Sequence, residues 1–149
     1  MSSQTIACFG AYALAFEKSY AADDWKVVGD QLTQDAIWAV EGAPPPFGGV
    51  AQGHAAVLQA IQQSCSSFDR RFDLREPRIV AGPTPIPGGV HFSFVVTYRR
   101  TGLPPFELRG EEWDFFRDGK LEFHREKLAN VADGLEYLER HAKQLLPMR

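Results

Sequence analysis

Cysteine is scarce in this chain: Cys8 and Cys65 are the only two in 149 residues, on separate expected helices. That excludes a disulfide-dense scaffold, and with no histidine in ligand spacing of another histidine or a cysteine it leads us to expect free thiols and no metal site. An excess of one charge sign is also missing. Lys and Arg number 16 against 19 Asp and Glu, a net charge of -3, and the two signs are interleaved, as in Arg109-Gly110-Glu111-Glu112. No overall field draws such a chain to a phosphate backbone, so nucleic acid is not an expected partner. Long apolar runs are absent too: nothing approaches the ~20 residues a membrane span needs. Met1-Ser2-Ser3-Gln4 lacks the basic region that precedes the apolar stretch of a leader, and the expectation is a cytoplasmic protein with no membrane partner. There is no serine-centred elbow, phosphate loop or dinucleotide glycine motif, hence no expected cofactor.

What is present is a globular composition, 44% hydrophobic and 23% charged, at the length of one domain spanning 1-149. Ile6, Phe9, Ala13, Phe16 and Tyr20 recur at helical spacing from a start near Ser3. Asp23 or Asp24 can cap a short second helix with Trp25, Val28 and Leu32 inward. A strand over 36-40 follows, then a proline- and glycine-rich loop over 42-49. Helical spacing returns from Gly53 to Phe68 through Leu58, Ile61 and Cys65.

Beyond that point the period changes to two. Val90, Phe92, Phe94, Val96 and Tyr98 alternate with other residues in the clearest strand of the chain. A strand over 71-81, interrupted at Pro77, precedes it, and Pro83 to Gly89 reads as a turn. Phe106 to Arg117 and Leu121 to Leu128 form two further strands joined at Asp118-Gly119, a hairpin signal. Leu135, Leu138, Ala142 and Leu145 mark a C-terminal helix capped by Asp133, within 131-146 and beyond a core of about 5-130. Three helices followed mainly by antiparallel strands define an α+β domain. A curved antiparallel sheet wrapped around those helices leaves a cavity lined by alternate strand residues.

Strand parity then selects residues. Phe106, Leu108, Gly110, Glu112, Asp114 and Phe116 share one face of their strand. A carboxyl between phenylalanine and leucine is one whose pKa burial raises, the preparation of a general acid or base near neutral pH, so Glu112 leads. Asp114 lies beside it, and His124 falls opposite if the hairpin is tight. The structural alternative pairs Glu112 and Asp114 with Arg99, Arg125 or Lys127 on a solvated or dimer-facing surface. Phe16, Tyr20, Trp25, Trp38 and Phe94 are candidates to line an apolar pocket, each of them equally suited to plain core.

Four segments together, Tyr20-Ala21-Ala22-Asp23-Asp24-Trp25, Leu32 to Trp38, Pro46 to Val57 and Phe116-Arg117-Asp118-Gly119-Lys120-Leu121, resemble the SnoaL-like proteins of the nuclear transport factor 2-like superfamily. The likeness runs from about Phe9 to Leu128. It implies a cone-like α+β barrel, a homodimer through the sheet, and cofactor-independent acid/base chemistry in the enzymatic members, which include polyketide cyclases and ketosteroid isomerases. The cyclases' acid, on the strand before the Asp-Gly-Lys hairpin, matches Glu112, with Glu where Asp is usual. The isomerases' tyrosine would fall at about Phe16 and their base at about Val40, beside Glu41. The resemblance thus implies either a cyclase- or isomerase-type enzyme acting on a small apolar or aromatic carbonyl compound, or a noncatalytic ligand-binding or dimerisation module.

Overall fold

Residues 2-147 and Arg149 are described by the computed structural model, and the switch from helical to two-residue period after Phe68 is where its chain passes from helix to sheet. Helix α1 (Ser2–Ala22) is followed by the short α2 (Lys26–Gly29), strand β1 (Leu32–Glu41), strand β2 (Gly49–Gln52) and helix α3 (His54–Ser67). A single turn of 3-10 helix, Asp69–Arg71, leads into β3 (Leu74–Ile86), β4 (Gly89–Arg99), β5 (Phe106–Arg117) and β6 (Lys120–Leu128), and α4 (Val131–Arg140) closes the series. Asp24 settles the entry to α2, its Oδ1 accepting the backbone N–H of Lys26 at 3.2 Å, while Asp23 accepts the Trp25 indole N–H at 2.9 Å.

One six-stranded sheet, ordered β2-β1-β6-β5-β4-β3, carries every strand. The meander from β3 to β6 is antiparallel, as expected, but β1 runs parallel to β6, so the sheet is mixed. Asp118 and Gly119, at φ 52 and 79, make the tight turn between β5 and β6 that a right-twisted hairpin needs.

Three boundaries differ from expectation for identifiable reasons. Strand β3 continues through Pro83 and Pro85, where a turn was expected; it is an edge strand, so the amide hydrogens that its prolines lack are not all needed by the sheet, and register shifts near Ala81 absorb the rest. Strand β1 begins at Leu32, because a register shift between Leu32 and Ile37 takes up the polar residues expected to form a turn. Helix α4 starts at Val131 and ends at Arg140. Asn130, not Asp133, stands at its cap, with its side chain spent on β5: Oδ1 accepts Arg109 N–H at 2.9 Å and Nδ2 donates to Glu107 O at 2.8 Å.

Two apolar clusters result. Val28, Leu32, Val57, Ile61 and Leu121 pack between the first three helices and β1. Phe72, Tyr98, Phe106, Tyr137 and Leu138 pack α4 against the opposite end of the sheet. Between them the face of α1 carrying Phe9 and Phe16 is only half-buried, since it looks into a cavity instead of onto packed side chains.

Candidate active site

The cavity measures about 430 Å3 and is bounded by α1, α3, the concave face of the sheet and the start of α4. Its walls are mostly apolar, with Phe9, Phe16, Trp38, Phe92, Phe94 and Val96 among them. Four carboxyl groups nevertheless open onto it: Glu17, Asp69, Glu112 and Glu126. That is few polar groups in an apolar concavity, the usual composition of a small-molecule site.

Register creates the polar wall. In the β5–β6 ladder Asp114 stands directly opposite His124, and Glu112 directly opposite Glu126. Because all four are two apart on their own strands, they share the concave face and crowd one imidazole. His124 Nδ1 lies 2.8 Å from Asp114 Oδ1 and 3.3 Å from Glu112 Oε1, and its Nε2 lies 3.2 Å from Glu126 Oε2. The indole of Trp38, opposite His124 on β1, stacks on the imidazole with ring centres 6.3 Å apart. Asp114 is fully enclosed behind this wall, and its Oδ2 has no hydrogen-bond partner there.

The electrostatics follow from that crowding. Burial pushes the Glu112 carboxyl up to about 8, the Asp114 charge adds to the rise, and His124 opposes it. Burial by itself would depress His124, but the carboxylates of Glu112 and Asp114 outweigh it and hold the imidazole well above its ordinary value. The wall therefore holds two groups whose titrations depend on each other, Glu112 and His124, with their exchangeable protons at the cavity surface. Tyr12, buried on α1 and lining the same cavity, is raised first by burial, with His124 opposing and Asp114 and Glu112 reinforcing, so its hydroxyl stays a donor.

Among the described residues, Glu112, Asp114 and His124 form a group that could hold a metal ion, their ligand atoms lying within 4.8 Å of one another. Spacing along the chain gave no sign of this, because the set is assembled across strands. A metal would have to displace the proton that the two carboxylates hold on Nδ1.

The expected residues divide clearly. Glu112, His124, Trp38, Phe16 and Phe94 line the cavity, and Asp114 backs it. Trp25 lies in the core against Phe16, Tyr20 sits under the Arg70 guanidinium, and both are outside the lining. Glu41 is exposed and bonded to Arg125 at 2.7 Å, which holds its carboxyl below the usual range. The cations proposed as structural partners of Glu112 and Asp114 are engaged elsewhere or turned away: Arg99 binds Glu76, Arg125 binds Glu41, and Lys127 lies opposite Glu111. Two residues were missed. Glu126 follows from His124 by the two-residue period of β6, and Tyr12 sits one turn before Phe16 on α1.

Comparison with known proteins gives the same architecture at low identity. The chain is similar to a candidate isomerase from Rhodopseudomonas palustris, with TM-score 0.69 and 18% identity over 89% of this chain and 97% of that one. It is similar to a nuclear transport factor 2-like protein from Anabaena variabilis, with TM-score 0.65 and 19% identity over 87% and 92%. It is also similar to a candidate SnoaL-like polyketide cyclase from Jannaschia sp. CCS1, with TM-score 0.64 and 16% identity over 89% and 90%. No protein-family model and no curated protein matches the sequence.

Proposed function

From the nuclear transport factor 2-like fold that the chain shares with those structures, we propose that its cavity performs cofactor-independent proton transfer, of the cyclase or isomerase type, on a small, largely apolar carbonyl compound. The supporting observation is the Glu112 carboxyl, held at about 8 on the wall of an apolar cavity and touching an imidazole that Asp114 orients. An acid of that strength exchanges protons near neutral pH in either direction. In the proposed reaction Glu112, once ionised, takes a proton from carbon next to the substrate carbonyl and returns it elsewhere on the skeleton. The negative charge developing on the carbonyl oxygen meets the Tyr12 hydroxyl and lies beside the His124 imidazolium, whose two N–H groups are held by Asp114 and Glu126. Tyr12 lines the cavity where Tyr20 does not, and Glu126 is placed to share the proton through Nε2 of His124.

The test follows carbon-bound protons directly. Wild type in D2O with cyclic aryl ketones such as 2-tetralone should speed exchange of the α-protons read by proton NMR, and Glu112→Gln should cut that acceleration by about 10²-fold or more. Unchanged exchange in a folded Glu112→Gln would remove the assigned role.

A second reading concerns the convex face. Trp113 there lies under Arg125 at 4.7 Å and stacks on His91, and Phe115 stacks on Phe123. We assign this partly exposed aromatic and charged face to a homodimer contact, with sedimentation equilibrium as its test. Two free cysteines suit a reducing compartment such as the cytoplasm.

A further inference from the structure

The wall of the cavity away from Glu112 carries a polar group that the proton-transfer reading does not use. Arg75 of β3 is mostly buried, lines the cavity, and lies beside the rings of Phe16 and Tyr20 at 5.2 and 5.3 Å. Its Nη1 donates to both oxygens of Glu17, at 2.9 and 3.1 Å, and its Nε sits 3.2 Å from Asp69 Oδ2. Close as it is to Asp69, Nε makes no hydrogen bond and is a buried donor left without a partner among the described residues. Asp69 in turn accepts the Tyr98 hydroxyl proton at 2.8 Å. Burial raises the Asp69 carboxyl, and Arg75 and Tyr98 oppose that rise.

Charge decides what this second wall can receive. Glu17, Asp69, Glu112 and Glu126 open onto the cavity against two enclosed cations, His124 and Arg75, while Arg78 stands 59% exposed at the rim beside Glu107. Arg75 is already matched by two carboxylates, so an arriving anion would gain one donor and face the carboxylates of Glu17, Asp69 and Glu126. A neutral oxygen takes the unpartnered Arg75 donor without that repulsion.

We propose that the Arg75–Asp69–Tyr98 wall is a second binding subsite, and that the cavity takes an uncharged, apolar molecule with two hydrogen-bonding oxygens, one at Glu112–His124 and one at Arg75, and rejects carboxylates. The proposal rests on the pocket reading above and names its substrate class.

Calorimetric titration at neutral pH with three probes on one skeleton tests it. Naphthols imitate the enol of a tetralone, so 2-naphthol reports the Glu112 end alone, 2,6-dihydroxynaphthalene adds the second oxygen, and 6-hydroxy-2-naphthoate replaces one oxygen by a carboxylate. The diol should bind about tenfold tighter than 2-naphthol, and the naphthoate about tenfold weaker than the diol. Arg75→Met should erase the advantage of the diol and leave 2-naphthol unchanged. Glu17→Gln, at a half-exposed rim position, should restore part of the naphthoate's lost affinity, which keeps a test available if Arg75→Met does not fold. If 2-naphthol binds but the diol gains nothing, or the naphthoate binds tightest, the second subsite is wrong and the Glu112 reading stands. If none of the three binds, both fall.

Discussion

At the residue scale the site is a single imidazole enclosed by three carboxyl groups, and its most constrained member is Asp114. A fully enclosed carboxylate at 2.8 Å from Nδ1 orients His124 and balances its charge. Replacing it with the isosteric Asn leaves an imidazolium without its buried partner. Asp114→Asn should therefore cost about 3 kcal/mol in urea unfolding and lower the His124 pKa followed by NMR. A cost under about 1 kcal/mol with an unmoved His124 would mean the pair is incidental. Much of this wall was legible in the sequence. Period two on β5 put Glu112 and Asp114 on one face, and the Asp118-Gly119 turn set His124 opposite. The convergence on one nitrogen was not legible, since it depends on how far each side chain reaches across the ladder. Glu41 misled because nearness to a strand end in sequence says nothing about which way that end faces.

Elements position the site through close approaches that sequence period does not reveal. Gly110 of β5 is one: a Cβ there would stand 2.7 Å from Phe94 Cζ and 2.8 Å from Lys127 O. Gly110→Ala should destabilise by about 1–3 kcal/mol and, by pushing Phe94, weaken cavity ligands, as denaturation and probe titration would report. Arg100 is another such position. Its buried guanidinium donates from Nη1 to the carbonyls of Arg71, Leu145 and Pro147 at 2.6, 2.8 and 3.0 Å, tying the segment after α4 to the strand ends. Arg100→Met should speed amide hydrogen exchange through 141-147 while β4 and β5 stay protected. Equal exchange in both would show that Tyr137 and Leu138 suffice to hold α4. Helix α4 was expected to run to 146 because Leu145 kept the helical stripe. Leu145 is indeed buried, but as the anchor of an irregular segment that Arg100 holds.

The whole molecule carries the consequence of enclosing proton-holding groups. Glu112 has a folded pKa raised above its unfolded value, so the folded state retains a proton that the unfolded chain releases from about pH 4.5 upward. Its contribution is complete below the unfolded pKa and is lost as pH rises through the folded one. His124, also raised, acts in the same sense at higher pH. Thermal stability should fall between about pH 5 and 8, and Glu112→Gln should flatten that slope. A wild-type curve level across that window would contradict the assignment. The order of helices and strands was readable because the hydrophobic period states which face each element buries. The parallel β1–β6 pair and the cavity volume were not, because both arise from how the finished layers sit on one another.

The proposed chemistry depends on Glu112 holding a proton at neutral pH inside the cavity. Carboxyl carbon-13 NMR of the labelled protein, with the resonance assigned by its loss in Glu112→Gln, measures this directly. A titration near 8 that shifts with the charge on His124 is expected. A midpoint near the ~4.3 of an ordinary glutamate would overturn the role assigned to Glu112.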